Sequence, residues 1–512
     1  MRYFLYVYLL FFNINFLSAQ EIQSKSRIDE IVVTAEFNDI DAFNISSSIS
    51  IISENDISKR NANHLEDLLF ITPNVNYSSG ASRGKFYQIR GIGERSEFTE
   101  PVNYSVGVII DGIDFTGIAL GASTFDVKQI EILRGPQGTL YGANALAGLI
   151  NIVSNDPTED FYSEISGSIS EFGGKDFGII ISNSNDNNFG YRLGFKNSKS
   201  DGFVKNVYLN RDDTNDIDET ISRAKFTKNN DTTKLTLNIF YADIDNGYDA
   251  FSLDNTRTTY SDEPGYDRQK TTAASTKFEK TLRNNNTIEI LASFSDSELG
   301  YAYDEDWSNT GICDKTPCDS TLFGFDWWYS SFDSFNRDNT NHSIDLRYIS
   351  NSENINWVVG LYNRDQDINL IRKYTYLQND FKSSFDTRNS AIYGQFTNNF
   401  TNKIKFQAGL RYEDRRADYL DNNGPVPEGF FCIEIYPRPD SCLFDNKYSK
   451  SENFWGGQIS LQNQIIENTM IYALLSRGYK PGGVNIDGQI SQQNLNYDSE
   501  TMWNYELGIK TN

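Results

Sequence analysis

Basic residues and histidine are scarce in this 512-residue chain. Lysine and arginine number 46 against 70 aspartates and glutamates, which gives a formal net charge of -24. So acidic a chain repels a phosphate backbone, and we therefore expect no nucleic-acid partner. The two histidines, His64 and His342, give little support to a histidine-based haem or metal site. Each is interpreted as a surface or packing residue.

The common motifs of catalysis and metal binding are also missing. The chain has no GxxxxGK(S/T), HExxH or GxSxG motif, and Arg90-Gly91-Ile92-Gly93 does not continue into a dinucleotide fingerprint. The aspartates from Asp212 to Asp218 lack the glycine and terminal glutamate of an EF-hand loop and are interpreted as solvated. The sequence therefore predicts no enzyme, no cofactor and no metal site.

Cysteine is limited to four residues in two close pairs, Cys313 with Cys318 and Cys432 with Cys442. Neither spacing matches the paired CxxC of a zinc site, and an even count suits an oxidising compartment. The pattern indicates two local disulfides. The alternative is that all four are free buried thiols.

Long apolar runs do not occur after the N-terminus. Residues 1–19 combine a positive charge at Arg2, an apolar run from Tyr3 to about Leu17 and the small residues Ser18 and Ala19, which is typical of a secretory signal peptide. Beyond them no stretch of about 18 apolar residues predicts a membrane-spanning helix. Such an exported chain is either soluble outside the cytoplasm or a β-barrel whose membrane face is hidden by alternation.

Alternation with a period of two is what the sequence has instead, from about Phe161 onward. Period two places apolar and polar residues on opposite faces of a strand. A soluble β-sandwich would alternate in the same way. The clearest apolar sets are Leu235, Leu237, Ile239 and Tyr241; Ile288, Ile290, Ala292 and Phe294; Ile344, Leu346 and Tyr348; Phe406, Ala408, Leu410 and Tyr412; and Trp503, Tyr505, Leu507 and Ile509.

Connection lengths distinguish a barrel from a sandwich. Short connections around 229–231, 283–286, 350–354, 400–403 and 464–468 alternate with long ones around 200–218, 244–270, 300–340, 367–386, 416–451 and 478–500. Outer-membrane barrels have tight turns on one rim and long loops on the other. The pattern predicts about fourteen membrane-crossing strands over residues 158–512. Aromatic residues near the strand ends, such as Trp357, Trp455 and Trp503, fit the girdles of such barrels.

Residues 41–157 have a different character, with shorter strands and more glycine. Leu65, Leu68 and Leu69 have helical spacing and Pro73 follows them, so a helix is predicted over Asn61–Phe70. We interpret these residues as a compact α+β domain that precedes the barrel.

Several motifs precede or lie within this domain. Asp29-Glu30-Ile31-Val32-Val33-Thr34-Ala35 is a short apolar run in the polar segment 20–40, and such an extended β-branched peptide is suited to adding a strand to a partner's sheet. Taken alone, it also fits an ordinary first strand. The other motifs, in chain order, are Ile89 to Gly93, Val106 to Gly112, Ile130 to Gly142 and Ala143 to Ile152, with Ser476 to Lys480 and Tyr505 to Gly508 in the barrel.

In this order and spacing the motifs resemble those of TonB-dependent outer-membrane receptors, with Asp29 to Ala35 as the TonB box. The resemblance covers the mature chain and implies a transmembrane antiparallel β-barrel with an N-terminal α+β plug domain inside its lumen. It divides the chain into a signal peptide (1–19), a TonB-box segment and linker (20–40), a plug (41–157) and a barrel (158–512). Barrels of the family have 22 strands, so a count of about fourteen leads us to expect that the last strands are missing.

The resemblance also implies a function. Receptors of this kind import a ferric siderophore or similar iron complex across the outer membrane of a Gram-negative bacterium. The implied partners are the extracellular iron chelate, outer-membrane lipid, and TonB of the inner-membrane TonB-ExbB-ExbD complex. Alternative cargoes are cobalamin and an oligosaccharide, and alternatives from another class are a passive porin and a surface adhesin.

Candidate contacts between the two domains are predicted from charge. A buried guanidinium needs carboxylate partners, so we expect Arg90 and Arg134 of the plug to pair with Glu413 and Glu506, which face inward on the barrel. In the alternative interpretation, both arginines face water in the lumen.

Candidate cargo contacts lie on plug segments around 77–86 and 94–104 and on the aromatic-rich loop 300–340, because exposed aromatic density usually signals recognition. The alternative is that these aromatic side chains pack the loop against itself. The candidates are Arg83, Arg95, Tyr104, Trp307, Trp327 and Trp328.

Overall fold

The computed structural model describes residues 32–34, 40–79, 82–95, 102–253, 255–312, 329–352, 354–377, 379–422, 446–485 and 496–511. The predicted signal peptide, the four cysteines, Trp327 and Trp328 lie outside the described residues. Of the predicted TonB box, only Val32, Val33 and Thr34 are described.

The N-terminal domain, which we call the plug, is built on a five-stranded sheet with strand order β3-β8-β9-β6-β7. β6 and β9 are parallel, and the other neighbours are antiparallel. Its strands are β1 (Val32–Val33), β2 (Ile40–Asp41), β3 (Ile49–Ser53), β4 (Val75–Ser78), β5 (Phe86–Ile89), β6 (Val106–Ile110), β7 (Ile113–Asp114), β8 (Val127–Arg134) and β9 (Gly148–Ser154). Three 3-10 turns span Ala42–Asn44, Ala119–Gly121 and Gly142–Asn144.

The central strands of the plug are buried on both faces. β8 and β9 are rich in isoleucine, valine and leucine, as expected for strands that are covered on both sides. Ile132 and Ile150 pack into the main apolar cluster of the plug. Leu133 and Leu149 point the other way, into a second cluster that contains Val33. The plug therefore has a core of its own inside the larger molecule.

The helix predicted over Asn61–Phe70 is wrong in position. Helix α1 spans Glu54–Arg60 and ends at Asn61, which adopts a left-handed conformation with φ of 49°. Its start is fixed by a capping box, because Ser53 and Asp56 exchange side-chain and backbone hydrogen bonds. These bonds hold the pKa of Asp56 below its ordinary value. Of the expected helix, only the single turn α2 (Glu66–Leu69) forms, and it buries Leu68 and Leu69.

The rest of the chain forms a fourteen-stranded antiparallel sheet, which we call the barrel. Each long strand pairs with the next long strand along the chain, from β10 to β27. The long strands are β10 (Tyr162–Ile169), β11 (Lys175–Ser184), β12 (Phe189–Ser200), β14 (Ile217–Asn230), β15 (Thr233–Tyr248), β17 (Gly265–Thr281), β18 (Thr287–Asp304), β19 (Phe332–Ser350), β20 (Ile355–Tyr374), β21 (Phe381–Asn399), β22 (Ile404–Asp421), β23 (Asn446–Ile466), β24 (Thr469–Lys480) and β27 (Glu500–Thr511). The short pairs β13 (Lys205–Asn206) with β16 (Thr258–Thr259), and β25 (Gly483–Val484) with β26 (Asn496–Tyr497), lie in the long connections.

The period-two faces predicted from the sequence are present. On β22, Leu410 and Tyr412 are 58% and 50% exposed, whereas Arg411 and Glu413 are each 1% exposed. Leu507 on β27 points outward in the same way. The barrel therefore has an apolar outer face and a polar inner face.

The predicted order of short and long connections also holds, but some long connections are shorter than expected. β20 runs to Tyr374 and β21 begins at Phe381, so the connection expected over 367–386 is reduced to 375–380. The strands continue past the apolar belt, and outward residues there such as Asp365 are polar. The apolar–polar alternation therefore stops before the strand ends. We call the rim with the longer connections the long-loop rim.

No helix in the described ranges is both long enough and apolar enough to cross a membrane.

The outer face provides a test of the membrane belt. Ile459 lies near the middle of the outward apolar row between Trp455 and Ile465 and is 51% exposed. It pairs with Ala408 and Leu475 on the neighbouring strands. Ile459→Lys should lower the free energy of unfolding in lipid vesicles by about 2–4 kcal/mol, because a charge at the bilayer midplane is poorly solvated. Denaturant titration followed by tryptophan fluorescence measures this change.

The matched control is Ser449→Lys, which lies on the outward face of the same strand but opposite Asp418, beyond the apolar row. Equal loss of stability in both variants would contradict the assignment of the belt.

Candidate functional site

Carboxylates on plug turns pair with basic side chains that the barrel points inward. Asp126 accepts hydrogen bonds from Arg192 on β12 at 2.6 and 2.9 Å, with both side chains buried. Asp114 lies 3.1 Å from Arg364 on β20. These pairs join the plug to two widely separated strands of the barrel wall.

Asp111 lies between two further cations of the wall, both on β14. Its carboxylate is 3.6 Å from the Arg223 guanidinium and 3.8 Å from the Lys225 ammonium, which are ion-pair rather than hydrogen-bond distances. Both Asp111 and Asp126 have positive φ values, 48° and 56°. Aspartate tolerates this turn conformation better than most residues. At both positions it can therefore form the turn and also provide the negative charge that pairs with the barrel.

The predicted contact residue Arg90 pairs with Glu506. Arg90 follows β5 in a tight turn with φ of 55°, and its guanidinium lies 2.9 Å from the carboxylate. Asn504 accepts a second hydrogen bond at 3.3 Å. The structure therefore brings this plug arginine and this barrel carboxylate together.

Arg134 differs from the expectation, because its hydrogen-bond partners are neutral and lie within the plug. It donates to Ser50 at 2.8 Å and to the Pro73 carbonyl at 3.2 Å. Burial, together with the nearby charge of Arg90, lowers its pKa below the ordinary arginine value. Arg134 thus stabilises the plug's own fold, where Ser50 on β3 and Pro73 approach β8.

Glu413 meets the plug at Gly142 rather than at Arg134. Its carboxylate accepts from Arg411 at 2.8 Å, Asn389 at 2.6 Å and Tyr479 at 2.9 Å. Gly142 has φ of 66°, and a Cβ there would lie 2.4 Å from the Glu413 carboxylate. Arg411 also donates to the Leu140 carbonyl at 3.3 Å. A side chain at position 142 would therefore force the plug away from this charge cluster.

One plug loop on the long-loop side, between β4 and β5, is tied to the barrel by two buried ion pairs. Arg83 lies 2.8 Å from Glu219 on β14 and 3.4 Å from Glu66 of the plug. Although burial favours the neutral form, these carboxylates raise the pKa of Arg83 above its ordinary value. Lys85 lies 2.9 Å from Asp267 on β17. The predicted cargo contact Arg83 is thus engaged in holding the plug loop.

Two further plug residues, Glu94 and Asn103, are held by barrel strands β24 and β22. Glu94 accepts from Lys480 at 2.7 Å, and Asn103 accepts from Arg415 at 3.0 Å. The predicted cargo contact Tyr104 is half-buried and packs against Gly117, whereas Arg95 is exposed. Of these residues, Arg95 is the one whose charge is open to solvent.

Aromatic side chains line the long-loop rim above the first plug loop. Tyr301 and Phe335 belong to a buried cluster that also contains Tyr248, Leu370 and Phe381. The Lys85 ammonium lies 5.2 Å from the centroid of the Tyr301 ring. Trp307 is 40% exposed.

The Trp307 ring stacks on Phe251 with a centroid distance of 4.7 Å and an interplanar angle of 5°. These two rings therefore pack on each other, while the Trp307 side chain stays partly exposed.

The described part of the predicted TonB box is docked on the plug. β1 pairs with β2, and Val33 is fully buried. The amide and hydroxyl of Thr34 donate to Glu131 on β8 at 2.8 and 2.9 Å. Gln129 donates to the Val32 carbonyl at 2.7 Å. The segment is thus fixed by polar contacts on one face of the plug sheet.

A cavity of about 510 Å³ lies beside this segment, between the plug and the barrel. Thr34, Asp114 and Asn151 line it from the plug, and Lys277 and Arg347 line it from the barrel. The docked segment therefore forms part of the wall of an interior space.

Charge reasoning from the sequence missed Arg192, Arg223, Lys225 and Arg364. The sequence did contain a signal for two of them. Arg223 and Lys225 lie two residues apart in β14, so both side chains project from the same face of the strand. Their plug partners were not predictable, since the pairing depends on how the plug is seated in the barrel.

Comparison with known proteins defines the class. A model described as TonB-dependent receptor plug domain matches residues 41–149, and a model described as TonB dependent receptor-like, beta-barrel, matches residues 135–512. The chain therefore belongs to the TonB-dependent receptor family, and the predicted fold class is confirmed. Members of the family are outer-membrane proteins of Gram-negative bacteria, and they are transporters and receptors rather than enzymes. They work with TonB and bind extracellular ligands such as siderophores.

Individual relatives are similar at low identity. The vitamin B12 transporter BtuB of Vibrio vulnificus is 28% identical over 30% of this chain and 24% of its own length. The chain thus spans about a quarter of that transporter. The pesticin receptor of Yersinia enterocolitica is 20% identical over 95% of this chain and 68% of its own length. The crystal structure of the ferric yersiniabactin uptake receptor FyuA from Yersinia pestis superposes with a TM-score of 0.75 at 19% identity, covering 91% of this chain and 70% of that one.

The role of Arg83 is testable by removing its charge. Arg83→Met leaves Glu219 in a buried site without its strongest partner, which should lower the free energy of unfolding of the plug by about 3–5 kcal/mol. Thermal denaturation of the detergent-solubilised receptor measures this loss.

Lys199→Met is the matched control, because Lys199 pairs with Asp218 at the exposed end of the neighbouring strand. It should leave the melting temperature unchanged. If Arg83→Met were as stable as the control, the ion pair would not hold the plug loop.

Proposed function

We propose that this chain is an energised importer that carries a ferric siderophore or similar iron complex across the outer membrane into the periplasm. The observation that carries the proposal is the plug itself, which is held against the inner face of the barrel by buried ion pairs to several strands. A passive porin needs an open lumen, and an adhesin needs no plug. Import through this barrel therefore requires work to displace the plug.

The proposed site of that work is the TonB box, Asp29 to Ala35. β-Branched residues in extended conformation are suited to pairing with a strand of TonB, and the energy would come from the TonB-ExbB-ExbD complex. Val32 to Thr34 is attached to β8 through Glu131 and Gln129. A pull on this segment is thus transmitted to the central sheet of the plug.

The proposed cargo site is the funnel between the plug loops and the long-loop rim. Trp307 offers an open aromatic face and Arg95 an exposed positive charge. Tyr104, Trp327 and Trp328 remain proposed contacts of the same site, whereas Arg83 would act by positioning its loop. Aromatic and cationic groups suit a planar, negatively charged iron chelate.

Cobalamin is the second candidate cargo. The vitamin B12 transporters that match this chain support it, although they match over less than a third of its length. An oligosaccharide remains a further alternative from the sequence. We also propose the disulfides Cys313–Cys318 and Cys432–Cys442, and the domain limits 1–19, 20–40, 41–157 and 158–512.

Uptake of labelled iron by cells that express the whole receptor tests the proposal. A panel of ferric siderophores is offered, with labelled cobalamin in a parallel arm. Deletion of Asp29 to Ala35 should abolish energy-dependent uptake and leave cargo binding at the cell surface intact, because the deletion removes the coupling and not the funnel.

Deletion of the upstream segment 21–27, of equal length, is the control and should leave uptake unchanged. Uptake that survives loss of the TonB box would contradict energised import. Cobalamin uptake without iron uptake would keep the mechanism and replace the cargo.

A further inference from the structure

Three aspartates from two separate parts of the chain meet at the long-loop rim. Asp262 lies in the connection before β17, Asp304 ends β18, and Asp306 follows two residues later. One carboxylate oxygen from each lies within 4.8 Å of the other two. Asp304 and Asp306 are only 5% and 2% exposed. Three negative charges so close together in a buried place repel one another strongly.

Donors from the loops hold each carboxylate in place. The Trp307 amide donates to Asp304 at 3.0 Å, the Ser331 amide to Asp306 at 2.8 Å, and the Ser330 hydroxyl to Asp262 at 3.1 Å. These bonds fix the orientation of the three groups.

A second, independent observation indicates a ligand. The other oxygen of Asp304, Oδ2, is buried and accepts no hydrogen bond from any described residue. A buried carboxylate oxygen without a donor is costly, and such groups in native proteins usually have a water or an ion as partner. No lysine or arginine in the described ranges forms an ion pair with Asp304. A cation bound by Asp304 together with the other two carboxylates would supply a partner for this oxygen.

We propose that Asp262, Asp304 and Asp306 bind a calcium ion. Calcium prefers six to eight oxygen ligands, including carboxylates, backbone carbonyls and water, and accepts irregular geometry. Loop carbonyls and water would complete the shell. Magnesium is less suited, because it demands near-ideal octahedral geometry and keeps most of its water. The cluster does not form one linear sequence motif, because β17 and β18 separate Asp262 from Asp304.

The position of the cluster gives the ion a role. Asp262 belongs to the same connection as Phe251, and Asp304 accepts from the amide of Trp307, whose ring stacks on Phe251. The ion would join the two segments that carry this aromatic pair. Calcium binding itself does not depend on the proposed import function. An effect of the ion on cargo binding does rest on that function.

Calcium binding is tested on the whole receptor in detergent after removal of metal with a chelator. Calcium should raise the melting temperature of the wild-type receptor, and terbium should bind with luminescence sensitised by the nearby Trp307 and be displaced by calcium. In Asp304→Asn both signals should be lost, since the variant loses a charged ligand. The apo form of Asp304→Asn should melt no lower than the wild type, because one repelling charge is removed.

The control is Asp213→Asn, which removes an exposed aspartate from a neighbouring connection, and which should keep the full calcium response. Asp262→Asn, at the half-exposed member of the cluster, repeats the test if Asp304→Asn does not fold. The proposal is overturned if millimolar calcium leaves the wild type unchanged, if both cluster variants respond like the control, or if magnesium stabilises the receptor equally. None of these measurements uses cargo, so their failure is separate from failure of the import proposal.

Discussion

The rest of the structure depends on carboxylates of plug turns paired with basic side chains that the barrel wall points inward. Asp126 with Arg192 and Asp114 with Arg364 are buried pairs, and Asp111 lies between Arg223 and Lys225. Each charge is costly to bury alone, so removing either partner is far more destabilising than the net value of the pair. The pairs thereby fix the position of the plug, and with it the interior cavity and the sheet face on which Val32 to Thr34 lies.

The same arrangement supports the energy requirement in the proposed import function. The barrel strands pair with one another and the central plug strands form a sheet of their own, and the two parts meet through charge pairs and close glycine contacts such as Gly142 against Glu413. Val32 to Thr34 is attached through Glu131 to the central sheet and lines the interior cavity. Force on that segment would act on the sheet that carries these pairs, and its departure would open one wall of the cavity.

Most of the fold could be predicted because each barrel strand separates lipid on the outside from a polar lumen on the inside. Apolar and polar residues therefore alternate along the strand with a period of two. Strand ends were less predictable, since β20 continues to Tyr374 beyond outward-facing polar residues such as Asp365. Leucine spacing misplaced the first helix, whereas Ser53 and Asp56 mark its true start. Charge reasoning led to Arg90 and Glu506, but the partners of Asp126 and the cluster at Asp304 depend on contacts between distant segments.

Hydrogen exchange on the whole receptor, compared between wild type and Asp126→Asn, tests most directly whether charge pairs seat the plug. The barrel amides serve as an internal reference. If the pairs hold the plug, the amides of β6, β8 and β9 should exchange at least about a hundredfold faster in the variant, while the barrel strands keep their wild-type protection. Unchanged protection in the plug would contradict this account, as would an equal loss of protection in the barrel.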